Sequence, residues 1–251
     1  MTPSAPLPFS LIFKEQTGST NTDAIEYAKA GADDYTLVWA LSQSAGVGRF
    51  ERRWVSDVGN LFWSAILNIN SDKPKIETLA LPIAIVIGSA IRSIVATDTS
   101  VEYKWPNDVL VNGRKISGTL SSGGYDTGWL VVGIGINVNI RPDLTNAIYE
   151  ATCLSDEMEQ APSVQEVCTE LCNNFYRIVE YWRRNGFDLY LHDEYERYMW
   201  KLGEKITVYF NSEKTEGITG INRGIDEDGA LLLENESGVI VKIYAGDVGA
   251  A

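Results

Sequence analysis

The stretch that decides the fold reads Lys104-Trp-Pro-Asn-Asp-Val-Leu-Val-Asn-Gly-Arg-Lys115. Asn112-Gly113 is a strong signal for a two-residue hairpin turn, because both turn positions accept a positive φ. Val109-Leu-Val111 therefore predicts one strand, and the next strand follows the turn. Pro106 cannot donate in the middle of a ladder, so Lys104 to Asp108 is expected at a strand end that faces a cleft. Cations beside a lone carboxylate in a cleft suit a nucleotide phosphate with its magnesium ion.

A second cationic element precedes the hairpin and reads Gln43-Ser-Ala-Gly-Val-Gly-Arg-Phe-Glu-Arg-Arg-Trp54; we call Gly46–Trp54 the arginine loop. Its glycines permit a tight backbone, its three arginines offer planar forks to anions, and Trp54 offers a flat face on which a purine could stack. The loop is neither a Walker loop nor a dinucleotide fingerprint. The alternative for this element is a solvated loop whose arginines pair with local acids. For the stretch from Lys104 to Lys115, the alternative is an ordinary surface hairpin without a ligand.

The remaining pattern up to residue 199 alternates strands with amphipathic helices. Strands are predicted at 11–15, 35–41, 61–67 and 129–138, and the last is an apolar run typical of a strand buried on both faces. Helices are predicted at 23–29, 77–96, 163–184 and 188–199 from apolar residues at helical spacing. Ser19-Thr-Asn21 lies where the first helix needs its cap, and this role is compatible with ligand binding. The order predicts an α+β fold in which helices cover a mixed β-sheet.

The pattern changes after Met199. Short strands at 205–210, 215–221, 230–233 and 239–243 alternate with Gly, Asn and Asp turns. A β module of about 50 residues buries too little surface to be very stable on its own. We therefore predict two domains, one at 1–199 and a small β module at 200–251.

Composition limits the classes of function. The chain has 251 residues, and its formal charge of −13 argues against a general nucleic-acid binder, which needs a basic surface. A local cluster of cations on an acidic body instead suits a small anionic ligand. The three cysteines and single histidine offer no convincing zinc site and are typical of a reducing compartment. The sequence shows neither a secretory signal nor an apolar run long enough to span a bilayer, so a cytoplasmic protein without membrane contact is expected.

The motifs resemble those of the biotin protein ligases. Lys-Trp-Pro-Asn-Asp followed by Gly-Arg-Lys-Ile-Ser-Gly is similar to the family's catalytic hairpin, and Gln-x-x-Gly-x-Gly-Arg with Arg-x-Trp is similar to its adenylate-binding loop. Further matches follow the family's order: Ser19-Thr-Asn21, Val132-Gly-Ile-Gly-Ile-Asn137, and Gly224-Ile-Asp with Gly229-Ala-Leu-Leu-Leu233. The resemblance spans nearly the whole chain. It implies a class II aminoacyl-tRNA synthetase-like fold with a C-terminal SH3-like β-barrel.

The resemblance also points to the short, monofunctional kind of ligase. Residues 1–10 precede the first predicted strand, and no helix-turn-helix fits there. No specific DNA binding is therefore expected.

The implied reaction uses ATP with Mg²⁺ and has two steps. Biotin's carboxylate attacks the α-phosphate to give biotinyl-5′-adenylate and pyrophosphate, and a lysine of a biotin carboxyl carrier protein domain then displaces AMP. Lys115 is the first candidate to bridge the carboxylate and the α-phosphate, because a flexible ammonium can contact both. Lys104 and Arg49 are expected to share the phosphate charge, and Asp108 to carry the magnesium. The alternative for Lys115 is an exposed hairpin lysine without a catalytic role. The alternative for Asp108 is a structural cap.

The other site residues are assigned to the two ligands. The biotin ureido ring offers donors and an acceptor that side chains such as those of Thr20 and Asn21 can match. The proposed biotin-binding residues are Ser19, Thr20, Asn21, Gln43, Gly46, Lys115, Gly118, Gly133 and Gly135. The proposed residues for ATP and the adenylate are Gly48, Arg49, Arg52, Trp54, Lys104, Asn107 and Asn137. Instead of binding a ligand, the glycines could serve tight packing, and Trp54 could anchor the loop.

This chain departs from the family at the arginine loop. Val47 stands where the family's loop usually has an arginine, and Phe50-Glu51 follow Arg49. Two other functions stay open at this stage. A lipoate ligase or octanoyltransferase shares the fold class but lacks this pair of motifs, and a non-catalytic protein that stores or senses biotin is favoured only by Val47.

Overall fold

Two β-sheets with covering helices form the fold in a computed structural model, which describes residues 3–69, 74–143, 150–211 and 215–251. The strands of the first sheet are β1 (Ser10–Thr17), β2 (Thr36–Gln43), β3 (Leu61–Asn68), β4 (Val101–Lys104), β5 (Asp108–Val111), β6 (Arg114–Gly124) and β7 (Trp129–Ile136). Their order is β1-β2-β3-β7-β6-β5-β4. β1 and β2 are parallel and the other neighbours antiparallel, so the sheet is mixed, as predicted. The apolar run at 129–138 forms the central strand β7.

The predicted hairpin is confirmed. β5 and β6 flank a turn in which Asn112 has a φ of 49° and Gly113 a φ of 75°. Both values are positive, as a two-residue hairpin turn of this kind requires. Lys104 ends β4 and pairs with Asp108 at the start of β5, so the segment with Pro106 is a connection at a strand end.

Five helices complete the described part of the fold: α1 (Thr20–Lys29), α2 (Ala80–Arg92), α3 (Leu154–Glu157), α4 (Val164–Asn185) and α5 (Leu189–Arg197). Ser19 caps α1 by accepting a hydrogen bond from the Thr22 backbone N–H, so the helix begins earlier than its apolar pattern predicts. A separate 3₁₀ turn at Ile76–Thr78 precedes α2, which is therefore shorter than predicted. α1 packs on one face of the first sheet, against Val38, Ile66 and Val131. α2 and α4 lie on the opposite face.

The second sheet contains β8 (Lys205–Tyr209), β9 (Gly217–Ile225), β10 (Leu231–Glu234), β11 (Ile240–Ile243) and β12 (Asp247–Ala250). All its pairs are antiparallel, in the order β11-β10-β9-β8-β12. Barrel closure needs the two edge strands to share a ladder. Within the described residues β11 and β12 do not pair with each other, so this SH3-like sheet is open and not the closed barrel that was expected.

The two sheets share one hydrophobic core. Trp63 and Phe175 belong to the same buried cluster as Leu231 and Leu233 of the second sheet. The Trp105 indole N–H also donates to the Gly229 carbonyl at 3.0 Å. The division into domains at 1–199 and 200–251 stays a prediction. In the part of the chain that the structure describes, no helix is both long and apolar enough to cross a membrane.

Candidate functional site

A cavity of about 380 Å³ opens on the face of the first sheet that carries α1. Side chains on that face alternate along each strand. On β3, Ile66 packs under α1, and the next residue on the same face is Ser64; on β7, Val131 is followed by Gly133 and Gly135. Beyond the first turn of α1 the sheet therefore carries small residues, which leave the space that forms the cavity. Its volume is in the range of small-molecule sites.

Polar side chains at the end of the cavity beside α1 form one hydrogen-bonded chain. The Gln43 Oε1 accepts from the Thr20 backbone N–H at 2.7 Å and from its hydroxyl at 3.1 Å. The Ser64 hydroxyl donates to Thr20 Oγ1 at 2.9 Å, and Gln43 Nε2 donates to Ser56 Oγ at 2.9 Å. These residues come from α1, β2, β3 and the segment after the arginine loop. The chain fixes the positions of Thr20 and Gln43 before any ligand arrives.

Asn21 presents an unused acceptor in this end of the cavity. Its amide nitrogen donates to Ser122 Oγ at 3.4 Å, whereas its buried Oδ1 has no hydrogen-bond partner. A Cβ on Gly133 would lie 2.8 Å from this oxygen, so a side chain at 133 would cover it. A buried carbonyl oxygen without a donor costs about 1–3 kcal/mol, and a ligand N–H would remove that cost.

A β-bulge brings Lys115 to Asp108. Asp108 and Gly118 are cross-strand partners and share a face. In a regular strand Lys115 and Gly118 would point to opposite faces, but the register shifts between Val109 and Leu110, which pair with Ser117 and Lys115. The Lys115 Nζ consequently lies 2.6 Å from Asp108 Oδ1. A Cβ on Gly118 would meet Lys115 Nζ at 3.3 Å and Asp108 Oδ1 at 3.4 Å.

The arginine loop crosses from the first sheet to the second. Arg49 donates from Nη1 to Asn107 Oδ1 at 2.9 Å and to the Gly246 carbonyl at 3.4 Å. Asp247, at the start of β12, pairs with Arg52 at 2.5 Å and lies 3.8 Å from Arg49. Burial lowers the pKa of the Arg49 guanidinium, and the Asp247 carboxylate opposes that shift. Two cations of the loop are thus held by a carboxylate of the other sheet.

The Trp54 indole lines the cavity and lies against glycine backbone. A Cβ on Gly135 would lie 2.5 Å from the indole Cε2, and one on Gly118 3.1 Å from Cζ3. Both glycines are needed for this approach. Lys115 Nζ is 5.5 Å from the Trp54 ring centroid, within the range of a cation–π contact.

Most of the residues proposed from sequence come together here. Those that line the cavity are Ser19, Thr20, Asn21, Gln43, Gly48, Arg49, Arg52, Trp54, Asn107, Asp108, Lys115, Gly118, Gly133, Gly135 and Asn137. Gly46 lies behind the wall, because a Cβ there would meet the Trp54 carbonyl at 2.6 Å and Gln43 Nε2 at 3.0 Å. Lys104 is outside the lining: the residue is 3% exposed, and its Nζ is 5.6 Å from the Trp200 ring centroid.

Asp247 and Ser64 are two of the cavity residues that are missing from the sequence-based set. Asp247 comes from the last strand, and the register of β12 against β8 places it beside Arg52. Ser64 comes from an apolar strand, β3, in which it is the only polar residue before Asn68. A lone serine in a buried strand is a signal that could have identified the second residue. The sequence near Asp247 carries no such signal.

Comparison with known proteins assigns the family. The model described as the biotin/lipoate A/B protein ligase family matches residues 13–139, and the model of the biotin protein ligase C terminal domain matches residues 201–248. The bifunctional ligase/repressor BirA of Bacillus subtilis is 33% identical over 250 residues, which cover 95% of this chain and 73% of that protein. The chain belongs to the biotin/lipoate A/B protein ligase family.

Other relatives of this ligase family agree in name and fold. The biotin--[acetyl-CoA-carboxylase] ligase of Mycobacterium tuberculosis is 29% identical over 240 residues, which cover 93% of this chain and 86% of that protein. Among solved structures, the biotin protein ligase from Aquifex aeolicus in complex with biotin and ATP superposes with a TM-score of 0.78 at 28% identity. That match covers 96% of this chain and 97% of the other. The predicted biotin ligase fold is confirmed.

Proposed function

We propose that this chain is an ATP-dependent biotin ligase, which attaches biotin to a lysine of a biotin carboxyl carrier protein domain through biotinyl-5′-adenylate. The proposal rests on one observation: a set of neutral hydrogen-bonding side chains and a set of cationic side chains line the same cavity. The hydrogen-bonded chain through Thr20 and Gln43 is suited to an uncharged polar ring, and Lys115 and Arg49 supply cations a short way along the same cavity. The names of the relatives and their complexes with biotin and ATP agree with this assignment.

The biotin ring fits the end of the cavity beside α1. Asn21 Oδ1 accepts from a ureido N–H. The Thr20 hydroxyl, Gln43 and Ser19 make the other polar contacts with the ureido ring. Gly133 has no side chain and lets the apolar part of biotin lie close to the backbone. Gly118 and Gly135 lie behind the Trp54 indole, and they serve the biotin subsite by leaving room for that ring. Gly46 supports the cavity wall from behind.

The first chemical step takes place at Lys115. An oxygen of the biotin carboxylate attacks the α-phosphorus, the bond to the β-phosphate bridging oxygen breaks, and pyrophosphate leaves. Lys115 contacts both anions as the ammonium ion, and Arg49 and Arg52 neutralise phosphate charge from the arginine loop. Asn107 and Asn137 border the nucleotide, although Asn107 also joins Arg49 to the hairpin by its hydrogen bond. Trp54 and Gly48 complete this part of the wall.

Asp108 is suited to the magnesium ion of Mg-ATP. Mg²⁺ is usually held by one or two carboxylates together with substrate phosphates, and it needs no complete protein cage. Among the described residues no group of three or more His, Cys, Asp or Glu side chains could hold a metal, so the phosphates would have to supply part of the coordination. When bound, the ion neutralises phosphate charge.

The second step requires the arginine loop to retain the adenylate. The acceptor lysine's neutral amine attacks the biotinyl carbonyl carbon, the bond from that carbon to the phosphate oxygen breaks, and AMP leaves. A mixed anhydride that escapes reacts with other amines, so contacts from Arg49 and Arg52 protect the intermediate until the carrier arrives. Lys104 stays a predicted phosphate contact that would need to leave Trp200. The expected absence of DNA binding and the cytoplasmic location also stay predictions.

Isotope exchange between pyrophosphate and ATP tests the proposal. We expect exchange in the presence of biotin and Mg²⁺, and much less with lipoate or octanoate in its place. Single-turnover transfer to a purified biotin carrier domain then tests the second step. Exchange that depends on lipoate would assign the chain to another activity of its family. Biotin binding without exchange would make it a non-catalytic biotin protein.

A further inference from the structure

The bulge that turns Lys115 toward Asp108 has its own support. β7 ends at Ile136, and residues 150–152 take its place beside the start of β6. The Lys115 backbone N–H donates to the Glu150 carbonyl at 2.9 Å, and the Thr152 N–H donates to the Lys115 carbonyl at 2.9 Å. Both backbone groups of Lys115 are thus held by this short segment. The orientation of the Lys115 side chain depends on where the segment lies.

Glu157 ties that segment to the hairpin. Its side chain is 2% exposed, although it lies at the end of the short helix α3. The carboxylate accepts from Asn112 Nδ2 at 2.7 Å and from Arg114 Nη2 at 2.7 Å. It also accepts a short hydrogen bond from the Thr152 hydroxyl. A buried carboxylate with a guanidinium and two further donors is held firmly in place, because charge-assisted hydrogen bonds are about twice as strong as neutral ones.

The three donors to Glu157 are all connected to Lys115, two through the hairpin and one through a backbone hydrogen bond. Asn112 belongs to the hairpin turn, Arg114 immediately precedes Lys115, and Thr152 bonds to the Lys115 carbonyl. The Thr152 carbonyl accepts in turn from the Asn137 side chain at 2.9 Å, at the cavity wall. Glu157 itself does not line the cavity.

We infer that Glu157 is a positioning residue for Lys115, which fixes the bulge so that the ammonium stays beside Asp108 and faces the reacting anions. The inference rests on the proposed function, in which Lys115 contacts the biotin carboxylate and the α-phosphate. Glu157 binds neither ligand and acts through backbone geometry. Displacing a reacting group by about 1 Å can lower a rate by as much as a hundredfold.

Single-turnover adenylate formation tests this role in the full chain. We expect Glu157→Ala to lower the rate constant by about ten- to a hundredfold, with little change in the KM for biotin. Glu157→Gln keeps an acceptor oxygen for Asn112 or Thr152 and should recover part of the loss. Asp156→Asn is the matched control, since the carboxylate of this neighbour on α3 pairs with Arg141, at 3.5 Å, instead of a residue of the hairpin. A rate per active site equal to that of wild type in Glu157→Ala would overturn the inference.

A double-mutant cycle separates positioning from stability. If Glu157 acts through Lys115, Glu157→Ala should have no further effect on the slow rate of Lys115→Ala. An equal fold-loss in both backgrounds would contradict the inference. Trace acetylation of Lys115, read by peptide mass spectrometry, needs no turnover and should rise in Glu157→Ala as the ammonium leaves Asp108. If wild type formed no adenylate, the proposed function would fail, and unchanged acetylation would separately reject the positioning role.

Discussion

The two ends of the cavity are held in place by different means. Beside α1, Thr20 and Gln43 are fixed by neutral hydrogen bonds between a helix and strands of one sheet. At the other end, the arginine loop has irregular backbone, with a positive φ at Phe50 and Glu51, and it depends on ion pairs with Asp247 in the second sheet. The first arrangement suits a rigid subsite, because its contacts barely change with salt or loop motion. The second suits a subsite that must open for ATP and close on the adenylate.

Lys115→Ala should have the largest effect, because this residue lies between the two ends. Loss of one cation that stabilises the transition state costs about 3 kcal/mol, which lowers the adenylation rate on the order of a hundredfold. Pyrophosphate exchange measures the loss. Lys14→Ala is the matched control, since Lys14 also pairs with an aspartate, at 2.9 Å, and is comparably exposed. Near-normal exchange in Lys115→Ala would refute its assigned role.

Arg49→Ala should show what the loop end contributes. We expect release of the adenylate to increase by about ten- to a hundredfold, since a charge-assisted contact is worth roughly 1.5–3 kcal/mol. Adenylate formation should fall less, because Lys115 remains. Biotin labelling of an unrelated protein in the same tube measures the escape. The control is Arg223→Ala, which removes a partly exposed ion pair on β9. Equal bystander labelling by wild type and Arg49→Ala would show that Arg49 does not retain the intermediate.

Asn21→Ala should show what the rigid end contributes. Losing one hydrogen bond to the ureido ring should weaken biotin affinity by about 1–2 kcal/mol, or roughly five- to thirtyfold. The stability of the free protein should change little, because Asn21 Oδ1 has no partner before biotin binds. Calorimetry measures the affinity, and Thr22→Ala on the same helix turn is the control. If biotin affinity does not change while adenylate release does, the two ends are assigned the wrong way round.

Asp247→Asn should have the smallest effect and one confined to the loop end. The Arg52 side chain is 43% exposed, so solvent screens its ion pair with the less exposed Asp247 and the pair is worth about 1 kcal/mol. We expect adenylate release to rise by about threefold, less so at high salt, and biotin affinity to stay the same. Asp228→Asn removes an exposed pair with Lys75 and is the control. Slower release in Asp247→Asn would mean instead that the carboxylate competes with phosphate.

The sequence predicts those parts of the site that depend on neighbouring residues. Asn112-Gly113 specifies its own turn, and Ser19 specifies the start of α1, so both are found without knowledge of the fold. Lys115 is found from its motif, but the bulge that redirects it is not, because Ile116 looks like any core residue of a strand. Lys104 and Asp247 depend on tertiary partners far along the chain. The motif predicts a phosphate contact for Lys104, whereas packing directs it to Trp200.

Closure of the second sheet is another feature that depends on tertiary contacts, and the sequence prediction of a closed barrel was wrong. Strand patterns and turns identify β8 to β11, since each alternates apolar residues over a short span. Whether a sheet closes depends on its edge strands. Among the residues that the structure describes, the four-residue strand β12 pairs with β8 alone. Its sequence, Asp247-Val-Gly-Ala250, has little strand character of its own.

The shared core has a consequence for protein engineering. Leu231 and Leu233 pack in the same buried cluster as Trp63, so the second sheet cannot be exchanged for that of a relative as an independent part. At 33% identity, a sheet transplanted from the Bacillus subtilis relative would bring many new side chains to that boundary. A small shift of the graft would move Asp247 away from Arg52. A chimera should therefore keep its affinity for biotin and release the adenylate somewhat faster.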